Sequence, residues 1–126
     1  MADYKRYMRL FVLFDLPTNT KKERKYAARF RKDLLNDGFT MLQYSVYCRI
    51  CKGQESVDLH IQYVAQVVPP KGSVRLLSIT DMQYARMRIL VGQKKLQENI
   101  HQQLLLFWFL FRIHAKNAYF LGEFST

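Results

Sequence analysis

Asp15 is the residue whose type and position most clearly suggest chemistry. It follows an apolar run over residues 8–14, and a carboxylate at the end of a buried strand is costly to desolvate unless its charge is used. It could bind Mg²⁺, which usually takes one or two carboxylates together with water and phosphate oxygens. It could instead stabilise the turn over residues 18–20. A single carboxylate is too few for a hydrolytic site, so the catalytic and metal-binding role requires two copies that meet near this strand end.

A cluster of cations follows Asp15 along the chain. The 126 residues carry 20 Lys and Arg against 10 Asp and Glu, a net charge of +10, and the cations are concentrated in residues 1–38. A charge run is often only a solvated helix face, but this density favours a polyanionic partner, nucleic acid before an anionic membrane surface. Binding should depend on salt and little on base sequence. The predicted nucleic-acid-binding residues are Lys21, Lys22, Lys25, Arg29, Arg31 and Lys32.

The other reactive side chains give weaker signals. Cys48 and Cys51 have CxxC spacing, but there is no second pair and Gly53 follows. This context disfavours zinc or redox chemistry and predicts free thiols. The three histidines are scattered, Ser45 lacks a glycine-flanked nucleophile elbow, and five glycines leave no room for a phosphate-binding loop.

Aromatic residues alternate with the basic ones near the start of the chain. In a single-strand binder they would stack on bases, but Phe11, Tyr26 and Phe30 follow core periodicity and are predicted to be buried. An RNA-recognition domain would also need an aromatic-rich signature in its third strand, which residues 75–79 lack.

Strands and helices must position these residues. Thr20 and Glu23 have the spacing of a capping box, and Gly38 is suited to end the helix that they begin. The predicted elements are a strand over residues 8–14, a helix to about residue 37, a long strand over 39–50 interrupted by a bend or bulge at Gln43 and Ser45, a helix from Gly53 to the Pro69–Pro70 pair, and strands over 74–80 and 86–91.

The predicted fold class is α+β. We expect a ferredoxin-like βαββαβ domain over residues 1–92, with an antiparallel sheet and two helices on one face. A C-terminal segment over 93–126 would add a strand, with residues 102–107 and 119–123 as candidates. An uncovered sheet face is too apolar for water, so we expect a homodimer. The face would expose several of Leu10, Val12, Tyr44, Val46, Leu76 and Leu90.

The chain shows no pattern typical of export or membrane insertion. Residues 1–9 alternate polar and apolar types, and the longest apolar run, over residues 104–111, is far shorter than the roughly 20 residues of a membrane-spanning helix. We expect a cytoplasmic protein without a membrane partner.

Five stretches of the sequence carry a resemblance to a known family. They are YMRLFVLFDLP at 7–17, FRKDLLNDGF at 30–39, QYSVY at 43–47, PKGSVR at 70–75 and QYARM at 83–87. In this order they resemble the second CRISPR-associated adaptation protein family, the small subunit of the spacer-integration complex. The Leu-Pro pair after Asp15 and the stretch over residues 84–87 are similar to the subgroup that accompanies a single large effector nuclease.

The resemblance implies a homodimer whose C-terminal strand crosses to the other subunit. It implies one Mg²⁺ ion shared by the two Asp15 residues, with endonuclease activity on RNA or DNA. Ser45 and Tyr47 match a serine and an aromatic of the family's second strand, which could support the metal ligand. In spacer acquisition the dimer would lie between two dimers of the integrase subunit and hold double-stranded protospacer DNA. The family usually ends soon after its crossing strand, whereas this chain offers two candidates.

Two other functions remain open from the sequence. A stand-alone ribonuclease toxin of the virulence-associated type shares the fold, and a dimeric binding module would need no catalysis. A toxin should arrest growth when expressed alone, whereas a scaffold should do nothing without its integrase.

Overall fold

A computed structural model describes residues 7–93 of the chain. The chain divides between Arg88 and Ile89, and the helices and strands described below belong to the N-terminal unit. They are β1 (Tyr7–Asp15), α1 (Lys21–Asn36), β2 (Thr40–Gln43), β3 (Val46–Lys52), α2 (Gly53–Val67), β4 (Ser73–Thr80) and α3 (Asp81–Ala85).

The four strands form one antiparallel sheet in the order β2-β3-β1-β4. Strand β1 is central and is apolar on both faces, as a strand covered on both sides requires. Helices α1 and α2 cover one face, where the main core forms from Leu10, Val12, Phe14, Phe30, Leu34, Phe39, Tyr47, Cys51, Val57 and Val64. This α+β, ferredoxin-like architecture confirms the predicted fold class.

Helix α1 begins and ends where its sequence predicts. The Thr20 hydroxyl accepts a hydrogen bond from the Glu23 backbone N–H at 3.1 Å, while the Glu23 carboxylate accepts one from the Asn19 N–H at 3.0 Å. These bonds satisfy donors at the helix start that have no partner within the helix. Gly38 follows the helix with φ of 92°, a conformation that glycine adopts without steric cost.

The predicted strand over residues 86–91 is wrong. Thr80 and Gln83 form a capping box, with bonds of 3.1 Å and 2.9 Å, so the chain turns into α3 directly after β4. No strand is present over residues 86–93. The order βαββαβ arises instead because the long strand predicted over 39–50 is a hairpin of β2 and β3, which turns at Tyr44 and Ser45.

The second sheet face, which we call the open face, carries only part of the predicted set of side chains, since Val46 lies on it and Leu10 and Val12 do not. Leu10 and Val12 are fully buried beneath the helices, because the even-numbered residues of β1 face them. The odd-numbered residues face the other way, and there Tyr84 of α3 packs with Phe11 and Cys48 in a small second cluster. Helix α3 thus covers part of the open face.

The predicted C-terminal strands, at residues 102–107 and 119–123, lie outside the described residues. The domain boundary predicted at residue 92 and the crossing strand stay predictions. In the described part, residues 7–93, no helix has the length and apolar character needed to cross a membrane.

Candidate metal and nucleic-acid site

Asp15 is the last residue of β1, and it is exposed. It pairs with Ser73 of β4, and two residues back Leu13 pairs with Arg75. By strand alternation Asp15 shares the open face with Leu13 and Arg75. Among residues 7–93 the ion pairs are Arg9–Asp81 and His60–Asp37, so no described cation neutralises Asp15. Its carboxylate is available to a ligand.

Gly72 fixes the backbone of Asp15 by close packing. A Cβ added to Gly72 would lie 2.7 Å from the Asp15 carbonyl oxygen and 2.8 Å from Cδ2 of Leu16. Gly72 also has φ of +107°, which side chains rarely allow. The end of β1 is therefore held against the turn before β4, and the position of Asp15 depends on a residue without a side chain.

Replacing Gly72 by alanine should lower the free energy of unfolding by about 2–4 kcal/mol, because it combines backbone strain with a steric clash. Gly53 provides the matched control, since it has φ of +83° but no atom within 4 Å of an added Cβ. Gly53→Ala should cost only the strain, about 1–2 kcal/mol. Urea denaturation of both variants measures the difference, and equal losses would show that the packing against Asp15 has no effect.

Ser45 and Tyr47 lie in the hairpin beside the end of β1. The Ser45 carbonyl accepts a hydrogen bond from the Phe14 N–H at 3.1 Å. Tyr47 is buried, and its ring lies 5.6 Å from that of Phe14. Because Phe14 faces the helices, the Tyr47 side chain lies on the opposite face from Asp15. These two residues contact the strand next to Asp15, through a backbone bond and a ring contact.

The basic residues of α1 form an outward surface. Ala27, Phe30 and Leu34 are its buried residues, and the helical period places most of the predicted cations on the far side. Arg31 differs because it is half-buried, with its guanidinium 4.9 Å from the Tyr44 ring centre and 5.7 Å from that of Phe14. We call the exposed cations the α1 basic surface: Lys21, Lys22, Lys25, Arg29 and Lys32.

A metal ion at Asp15 would need ligands beyond those that residues 7–93 place around it. In residues 7–93 there is no group of three or more His, Cys, Asp or Glu that could bind a metal. One exposed carboxylate fits Mg²⁺ only where a second carboxylate, water or phosphate completes the coordination. Asp15 therefore fits one half of a Mg²⁺ site that a second carboxylate would complete.

The CxxC pair does not form a site. Cys48 and Cys51 are both buried, but they belong to different clusters on opposite faces of the sheet. Desolvation by burial raises the pKa of the Cys51 thiol, although the nearby Arg49 guanidinium opposes this shift. A raised pKa leaves little reactive thiolate.

Two features of the surface were not found from the sequence. Arg75 shares a face with Asp15 because the β1–β4 register pairs it with Leu13, and the prediction that Tyr26 is a core residue is wrong, since it is 37% exposed. Tyr44, one of the residues predicted to be exposed, is 78% exposed at the hairpin turn. Phe11 and Phe30 are buried as predicted. Strand register and turn geometry decide which of these side chains are neighbours and which are exposed, and spacing along the chain does not show either.

Comparison with known proteins identifies the family. The profile described as "CRISPR associated protein Cas2" matches residues 8–87. The "CRISPR-associated endoribonuclease Cas2" of Parvibaculum lavamentivorans is 53% identical over 88 residues, which cover 70% of this chain and 87% of the relative. The protein of the same name from Campylobacter jejuni is 40% identical over 114 residues, covering 90% and 80%. The chain belongs to the CRISPR-associated Cas2 family.

Proposed function

We propose that this protein acts in spacer acquisition as a homodimeric scaffold that binds double-stranded DNA together with the integrase subunit. We further propose that Asp15 gives it a conditional magnesium-dependent endonuclease activity on RNA or DNA. The observation that carries the proposal is the exposed Asp15 carboxylate on the open sheet face, next to apolar side chains that lack cover. The relatives' printed name, endoribonuclease, supports the hydrolytic part.

The uncovered apolar side chains support a dimer through the open face. Leu13 is 37% exposed and Leu77 is 55% exposed, and they lie on neighbouring strands because Phe11 pairs with Leu77. Exposed apolar patches favour association. Leu13 and Asp15 lie on the same strand and the same face. A second copy that covers Leu13 would therefore bring its own Asp15 close to the Asp15 of the first copy.

Such a dimer would supply what one chain lacks. Two carboxylates with water and a phosphate oxygen suit Mg²⁺, and a bound divalent ion would polarise the phosphate as a Lewis acid. Arg75 would place a guanidinium beside the carboxylate, where it could bind a phosphate oxygen and orient the nucleic-acid backbone. Ser45 would hold the strand end through its bond to Phe14.

The α1 basic surface supports the nucleic-acid part of the proposal. Its cations are exposed and have no ion pair with any carboxylate in the described part of the chain. Cations in this state can contact phosphates and release condensed counterions. No base-reading geometry is needed for a scaffold that accepts DNA of any sequence.

Replacing Lys21, Lys25 and Lys32 together by glutamine should weaken DNA binding and make it less sensitive to salt. The plot of log affinity against log salt concentration should lose about 3 units of slope if each lysine contacts one phosphate. Fluorescence anisotropy with a blunt DNA duplex at several salt concentrations measures this slope. A matched control replaces Lys52, Arg86 and Arg88, which are exposed and lie outside α1. An equal effect of both sets would mean that net charge alone drives binding.

Spacer acquisition in cells tests the scaffold role. Cells that carry the integrase subunit and a CRISPR array should gain spacers only when this protein is also present, and the two proteins should purify together. Growth arrest on expression of this protein alone would favour the ribonuclease toxin instead. The subgroup with a single large effector nuclease stays a prediction that the neighbouring genes would test.

A further inference from the structure

The hairpin between β2 and β3 holds an aromatic side chain at its tip. Tyr44 and Ser45 form the turn, and Ser45 has φ of 64°, an uncommon conformation for a residue with a side chain. The Phe14 N–H donates to the Ser45 carbonyl, so the turn is fixed to the end of the central strand. The Tyr44 ring is therefore presented from a turn that is fixed to Phe14, the residue before Asp15.

Tyr44 lies outside both clusters of buried core residues. It is 78% exposed, whereas Tyr47, on the following strand, is buried in the core. A ring held at this exposure on a fixed turn leaves an aromatic face open to a partner. The exposed ring is the surface that stacking on a nucleobase requires.

Arg31 supports the ring and adds a charge. Its guanidinium lies between two rings, 4.9 Å from the centre of Tyr44 and 5.7 Å from that of Phe14. Stacking of this kind orders the long side chain before any ligand binds. Arg31 also has no ion pair with a carboxylate among residues 7–93, so its charge is available to a phosphate.

We propose that Tyr44 and Arg31 form a binding site for one unpaired nucleotide, with the base stacked on Tyr44 and its phosphate bound by Arg31. This inference rests on the proposed nucleic-acid function and adds a substrate feature to it. A base inside a duplex already stacks on both sides, so an exposed ring can take an unpaired base and not one from the duplex interior. The α1 basic surface would bind the duplex, and the hairpin would bind the nucleotide where the strands separate.

The test compares a blunt DNA duplex with the same duplex carrying an unpaired thymidine end, by fluorescence anisotropy at fixed salt. The protein should bind the duplex with the unpaired end more tightly. Tyr44→Leu should lower the affinity for that duplex by about 5- to 150-fold and leave the affinity for the blunt duplex unchanged. Tyr44→Trp should keep the preference, and Arg31→Lys should reduce it, since a lysine keeps the charge but loses the planar stacking.

Tyr26→Leu is the matched control, because Tyr26 is also exposed and lies near a cation, with the Lys22 amine 5.9 Å from its ring centre. It should leave the preference intact. An equal loss in Tyr26→Leu, or no preference in the unmodified protein, would overturn the assignment even if salt-sensitive blunt-duplex binding persists. Absence of binding to both duplexes would overturn the proposed function as well.

Sedimentation velocity completes the test. If Tyr44→Leu shifts the protein to a smaller species, Tyr44 belongs to a contact between copies and the proposed nucleotide site is wrong. An unchanged sedimentation coefficient together with the lost preference would support the site.

Discussion

Asp15→Asn is expected to lower magnesium-dependent cleavage by about 100-fold or more while leaving nucleic-acid binding intact. The substitution removes a charge worth several kcal/mol to a bound metal ion but nearly keeps the side-chain shape. Asp15 is exposed at the strand end, so folding should not suffer. The cleavage rate of single-stranded RNA and of duplex DNA, measured across a range of Mg²⁺ concentrations, tests this expectation.

Asp58→Asn is the matched control for that experiment. Asp58 is exposed on α2, where it accepts a hydrogen bond from the Gln54 amide at 3.0 Å, and the change in charge is the same. Its cleavage rate should equal that of the unmodified protein. If Asp15→Asn cleaves at the full rate, the activity belongs to another residue or to a contaminating nuclease, and the pure binding module becomes the better description.

Asp81→Ala is expected to lower the free energy of unfolding by about 3 kcal/mol, the scale found when one partner of a buried ion pair is removed. Arg9 is only 3% exposed. Its Nε donates to Asp81 at 2.8 Å, and its guanidinium lies 4.2 Å from the ring centre of Tyr84. Without the carboxylate the buried guanidinium loses this ion pair, and α3 loses an attachment to the sheet.

Urea denaturation measures the loss, with Asp58→Ala as an exposed control that should cost less than about 0.5 kcal/mol. The double variant Arg9→Met, Asp81→Leu should regain most of the stability, because it removes both charges. Cys48 packs with Tyr84, so its reaction with a thiol reagent should speed up in Asp81→Ala. Stability equal to that of the control would show that this ion pair does not hold α3.

Much of the fold can be predicted from local signals. The apolar run before Asp15 predicts the central strand, and Thr20, Glu23 and Gly38 mark the ends of α1, where short-range hydrogen bonds decide the structure. Helix α3 does not follow from the predicted elements, and the strand predicted over residues 86–91 is absent. The capping box of Thr80 and Gln83 is a local signal too, and it would have predicted the helix.

The faces of the sheet could not be predicted in the same way. Leu10, Phe11 and Val12 are all apolar, so periodicity does not show which of them faces the helices. That choice depends on packing against α1 and α2, which are distant in sequence. The position of Arg75 depends on strand register, and the position of the Tyr44 ring depends on the geometry of a turn. Neither can be predicted from spacing along the chain.

Counting metal ions per chain tests the central claim most directly, namely that two copies share one divalent ion through their Asp15 carboxylates. Calorimetric titration with Mn²⁺ should give one ion per pair of chains, bound by a species that sediments as a dimer, and Asp15→Asn should abolish the binding. One ion for each chain, or binding by a species that sediments as a single chain, would contradict the claim.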